Sequence, residues 1–233
     1  MAFSRSFFRV AAVCSFLSAA TTLLLIFLPR WIPPAADLAA RMDAHGHPAY
    51  VLRSWVYFCH PFFVLAAALA VAVRAAGRQP GAAIFGFACF MLWAWLEATQ
   101  QGLTLVALDR WWRPAFLAGD AAQRDVIAAR VAVYDAVWDS LFFVLVIGFA
   151  FGSLLYGLVL ARGAGLERVV GLLYLAIAAW SFHGTAVDWG APRLPPLLDI
   201  WLYPLVQPVA RTLIGVWLWR SPPVALSPAT VPP

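Results

Sequence analysis

The side chains able to do chemistry in this chain are few, and they sit in unusual company. Seven of the polar residues inside or at the edges of strongly apolar runs stand out: His60, Glu97, Gln101, Asp135, Asp139, His183 and Arg211. An ionised side chain in a hydrocarbon layer costs at least about 2.5–3.5 kcal/mol, so such groups pair, line a wet space or serve a ligand. Helix rise puts Glu97 ~16 Å from the outer end of its run and Arg211 ~18 Å into its own. Both depths are near the middle of a bilayer, so an ion pair between Glu97 and Arg211 is expected. Such a pair has two readings: a lock that only fixes helix register, or the deep end of a polar site.

The remaining residues gather nearer one surface. His60 is a few residues into its run, and Gln100 and Gln101 lie one turn outward from Glu97. Tyr134, Asp135 and Asp139 open one run, while His183 and Asp188 close another. Glu97 and Gln101, like Asp135 and Asp139, are four apart and share a helix face. Together they predict a polar cavity open to the outside that takes a small polar molecule or ion. Two histidines and two aspartates would also suit zinc or a similar ion in a metal-assisted enzyme. No HExxH or CxxC spacing supports that chemistry locally. A haem held by His60 and His183 would need both rings at one level, and they are offset along their helices. Catalytic residues, metal and cofactor therefore stay unassigned. Ser54 and Ser181 lie near the histidines but in no nucleophile motif, which argues against a serine hydrolase. His45 and His47, in HGH, read as a solvated loop. Cys14, Cys59 and Cys89 each fall in an apolar run and read as small buried residues.

The elements that must position these groups follow from composition. Of 233 residues, 64% are hydrophobic and 12% charged, with mean hydropathy +0.82. A soluble domain carries roughly 25% charged residues, so the partner implied is the lipid bilayer. Every basic residue is arginine. Without lysine there is no Schiff base and no P-loop lysine. The net charge of +5 comes from arginines scattered at the ends of runs, which excludes a nucleic-acid face and fits anionic headgroups.

Six runs are long enough for the ~20 helical residues that cross a membrane. They cover 8–28, 53–73, 82–108, 132–160, 168–188 and 198–219. The first follows Arg5 and Arg9 like a signal peptide, but no small-residue cleavage site closes it, so it reads as an uncleaved span. Arg5, Arg9, Arg74, Arg78, Arg162, Arg168 and Arg220 mark one set of ends, joined by short links. Loops 29–52, 109–131 and 189–197 mark the other. Short basic links stay in the cytoplasm, so both termini are expected there and the long loops outside. The outer loops carry their own structure. PPAADLAARMDAHGH predicts a small interfacial helix, DRWWRP puts two tryptophans at the membrane surface, and Asp120 is expected to cap a helix that runs straight into the fourth span. Gly148 and Gly152 form a GxxxG for close helix packing. Pro204 and Pro208 should bend the sixth span. SPPVALSPATVPP is too rich in proline to be helical.

The strings SFFRVAAV, WAWLEATQQG and QPVARTLIGVWLW, spread over nearly the whole chain, resemble families of uncharacterised six-helix bacterial membrane proteins. Such families have no assigned activity, so no catalytic residue carries over. The expectation is an all-α, polytopic transmembrane bundle of six spans over 1–220, with a disordered tail over 221–233, in a bacterial inner membrane. Its role is binding or transport of a small polar molecule or ion, a structural or regulatory subunit without a ligand, or a metal-assisted membrane enzyme.

Overall fold

Long apolar stretches without water to satisfy their backbone must bond internally, and this chain does so almost entirely as helix. The computed structural model describes residues 2–32 and 34–225. Helix α1 (Arg5–Phe27) is capped by Ser4, whose hydroxyl accepts from Phe7 N–H at 3.2 Å. A short helix α2 (Leu38–Ala44), capped by Asp37, precedes α3 (Pro48–Ala76) and α4 (Pro80–Leu103). Both α3 and α4 begin at a proline, where the missing N–H costs nothing. The short α5 (Arg113–Ala118) leads to α6 (Ala121–Leu160), and then come α7 (Gly165–Asp188) and α8 (Tyr203–Trp219).

Five helical segments are long and apolar enough to cross a membrane: Arg5–Trp31, Pro48–Ala76, Pro80–Ala118, Ala121–Leu160 and Gly165–Asp188. The sixth expected run is a 17-residue α8 preceded by π-helical turns over Leu197–Leu202. A second π-helical stretch, Thr104–Trp112, joins α4 to α5, and Arg113 N–H bonds Leu108 O five residues back. Each stretch ends just before a proline, Pro114 or Pro204. A proline ring clashes with the carbonyl four residues earlier, and widening the preceding turn relieves that clash.

The long helices form a closed ring in the order α1, α3, α4, α6, α7, α8 and back to α1. Close approach is built from small residues. A Cβ on Gly152 would lie 2.9 Å from the Phe90 ring and 3.2 Å from Gly86 O, so the GxxxG of α6 is the seam against α4. One half of the ring is filled by a core drawn from all six helices, including Phe8, Val71, Phe90, Tyr156, Tyr174 and Leu218. Tyr156 closes it by donating to Ala68 O at 2.9 Å.

The arginine-marked ends gather beside this filled half. Arg78 bonds Glu167 at 2.5 Å, Arg9 lies over Trp219, and Arg74 lies over Trp217. There too Ala2–Phe3 pairs antiparallel with Val224–Ala225, the sole strand pairing among the described residues. Residues 226–233 of the expected tail lie outside the described residues.

At the opposite end α6 starts as expected, with Asp120 accepting from Gln123 N–H at 2.9 Å. Forty residues of helix span ~60 Å, twice the hydrocarbon thickness, so α6 must project beyond any bilayer. Its projecting turns meet α2 and α5. Met42, Leu108, Phe116, Ile127 and Val131 form a second small core there, and Arg113 Nε donates to Met42 O at 2.7 Å.

Candidate functional site

The half of the ring that the core leaves open is a cavity of about 710 Å³. Its position follows from helix direction. On α1, Phe8 and Ala11 belong to the core and Thr22 to the cavity; on α8, Ile214 and Trp217 belong to the core and Gln207 to the cavity. The chain thus places apolar side chains at the arginine-marked ends of its helices and polar ones at the other ends. The cavity floor rests on Trp93, Phe149 and the aromatic core beneath them.

Six of the seven sequence-selected residues meet on this cavity: His60, Glu97, Gln101, Asp135, Asp139 and Arg211. Glu97 and Arg211 are both buried, at 7% and 8% exposure. They do not make the direct ion pair expected. Among the described residues the ion pairs are Arg41–Asp135, His45–Asp109 and Arg78–Glu167. Arg211 Nη2 instead donates to Gln207 Oε1, one turn away on its own helix, at 3.2 Å. Its backbone carbonyl accepts from Ser15 Oγ at 2.6 Å, which ties α8 to α1 beside the floor. The Glu97 carboxylate faces the cavity with no hydrogen bond or ion pair to another described residue.

His60 shares a 2.7 Å hydrogen bond between Nδ1 and Thr21 Oγ1, and its ring meets the edge of Trp93. This locates His60 and Trp93 at one level on neighbouring antiparallel helices. Gln100 donates to Trp138 O at 2.7 Å, and Thr104 and Tyr134 share a 2.6 Å hydrogen bond. Those bonds hold the outer halves of α4 and α6 together along one wall.

His183 does not line the cavity, and its buried Nε2 has no hydrogen-bond partner among the described residues. The reason is angular. The inward stripe of α7 runs through Val170, Tyr174, Ile177 and Ser181, and His183 is rotated about 200° from Ser181. Among the described residues no three His, Cys, Asp or Glu side chains converge as metal donors.

The mouth holds what sequence reasoning missed. The HGH segment is not simply solvated: His45 is 2% exposed, stacks on Tyr50, and bonds Asp109 through Nδ1 at 2.5 Å. His47 caps α3, with Nδ1 accepting from Ala49 N–H. Arg41 makes a two-pronged contact with Asp135, at 2.7 and 2.8 Å. The hydrogen bond to Asp135 pushes the Arg41 guanidinium above its already high ordinary pKa. The helix expected at the membrane interface is therefore also a rim element, pinned to the bundle at Arg41, Met42 and His45. Arg53 and Tyr57, on α3, complete the wall; the guanidinium sits 5.0 Å over the phenol ring, and Arg53 Nε has no hydrogen-bond partner among the described residues. The signal for these residues was present in the arginines of the outer loop and at the outer edge of the second apolar run, Arg41 and Arg53. The chain matches no protein-family model, no curated protein and no solved structure.

Proposed function

We propose that this is a six-span protein of a bacterial inner membrane that binds a small polar molecule or ion in a cavity facing the periplasm. The observation that carries the reading is a one-ended cavity with the buried Glu97 carboxylate turned into it, making no hydrogen bond or ion pair with another described residue. A helix bundle that used its polar groups only as locks would pair each of them and leave no space. Six crossings are supported by the pairing of Ala2–Phe3 with Val224–Ala225. Ends that meet on one side require an even number of crossings, which adds α8 to the five long apolar segments. The short arginine-bearing links lie at that same end, which favours a cytoplasmic side there and a periplasmic mouth. Binding is favoured over a continuous path, because the aromatic core fills the other half of the ring.

The test is access. In a chain whose native cysteines are replaced by alanine, Gln101→Cys should react with a membrane-impermeant methanethiosulfonate reagent added from the periplasmic side. Ser153→Cys, in the filled half, should stay unreacted. Failure of Gln101→Cys to react from that side overturns the reading.

A further inference from the structure

The geometry points to a specific chemical class for the occupant: a small zwitterion with an aromatic or other flat apolar substituent, its ammonium group on Glu97 and its carboxylate on Arg53. This rests on the binding-cavity reading above.

Among the described residues the cavity lining carries three arginines, Arg41, Arg53 and Arg211, and three carboxylates, Glu97, Asp135 and Asp139. The charges of these described residues balance, and Arg41 with Asp135 neutralise each other at the mouth. A simple cation or anion would leave one charge uncompensated in a space walled by protein and lipid, where that is costly. A zwitterion keeps the balance.

Two groups with open hydrogen-bonding capacity, the Glu97 carboxylate and Arg53 Nε, set its orientation. Glu97 is 93% buried, lines the cavity and makes no hydrogen bond or ion pair with another described residue. Trp93, one turn inward on the same face of α4, also lines the space. A carboxylate beside an indole ring is a favourable setting for an ammonium group. On the neighbouring helix α3 Arg53 lines the same cavity, with Nε lacking a hydrogen-bond partner among the described residues. The His60–Trp93 contact fixes the register of α3 against α4. From that level Glu97 is four residues outward and Arg53 seven, so their backbones differ in height by only ~4–5 Å. Long side chains close such a gap around an amino-acid-sized head. Trp138 and Phe142, stacked with ring centroids 5.4 Å apart, line the same cavity and offer a flat apolar wall to the substituent.

Three matched probes test this: L-phenylalanine, phenethylamine and 3-phenylpropionate share a skeleton but are zwitterion, cation and anion. Each is titrated calorimetrically into the full chain in lipid nanodiscs. Saturable binding of phenylalanine alone is expected. Glu97→Gln and Arg53→Gln should each weaken it about tenfold or more, while Asp188→Asn, off the cavity, leaves it unchanged. Phenethylamine or 3-phenylpropionate binding as tightly as phenylalanine overturns the assignment, as does no binding of phenylalanine. The wild-type probe series decides even if a variant fails to fold. Labelling of Gln101→Cys separates the two levels: a reactive cysteine that phenylalanine fails to protect sinks the zwitterion and leaves the cavity, whereas an unreactive one sinks both.

Discussion

Glu97 and Arg211 show how far depth alone carries an argument. Counting residues along each run put both near the midplane, and both are buried on one cavity. Their separation depends on where around the helix each side chain points, which counting does not reveal. Because Arg211 bonds Gln207 and the pair is not in contact, Glu97→Ala and Arg211→Ala should be nearly additive in unfolding free energy, with a coupling below about 1 kcal/mol. A coupling of about 3 kcal/mol or more in denaturant titrations would mean that the charges meet directly. Arg41 and Asp135 differ: they touch, but both are over a third exposed. Their double-mutant coupling should be about 0.2–1 kcal/mol at low salt and should shrink as salt is added. His45 and His183 mark the other limit of residue-level reading. HGH looks solvated until α2 docks and buries His45, a tertiary event with no local signature, while His47 stays exposed. The orientation of His183 was legible in principle, since it falls off the stripe formed by Val170, Tyr174, Ile177 and Ser181.

At the scale of elements, the helices were readable because the physical constraint is severe: a backbone in lipid must be helical. The long α6 was readable from Asp120 and its unbroken period. The π-helical turns before Pro114 and Pro204 were not, since proline announces a disturbance without saying which bond pattern absorbs it. Packing adds constraints that hydropathy misses. A Cβ on Gly171 would lie 2.1 Å from Ala161 N and 2.5 Å from Leu160 C, backbone atoms that cannot swing aside. Gly171→Ala should therefore lower stability by about 1–3 kcal/mol. On the same helix a Cβ on Gly184 meets nothing within 4 Å, so Gly184→Ala should be neutral or stabilising by up to about 1 kcal/mol. Thermal unfolding of the two variants in one detergent compares them directly, and equal effects would refute this crossing of α6 and α7.

For the whole molecule, the sequence separates two ends of the bundle by charge, and the fold separates them by content, with core at one end and cavity at the other. The proposed orientation predicts that a fluorescent protein fused after Pro233 lights up in the cytoplasm, while alkaline phosphatase at the same point stays inactive. An active phosphatase there would invert the bundle. The short pairing of Ala2–Phe3 with Val224–Ala225 carries a further consequence. The segments flanking α1 and α8 are already neighbours, so the order of helices around the ring has no privileged beginning. A brief linker in place of residues 226–233 could join them, and the chain could be reopened at the Gly163–Ala164 turn on the same side. Such a permuted gene should yield a protein with the same thermal midpoint and the same reactivity at Gln101→Cys.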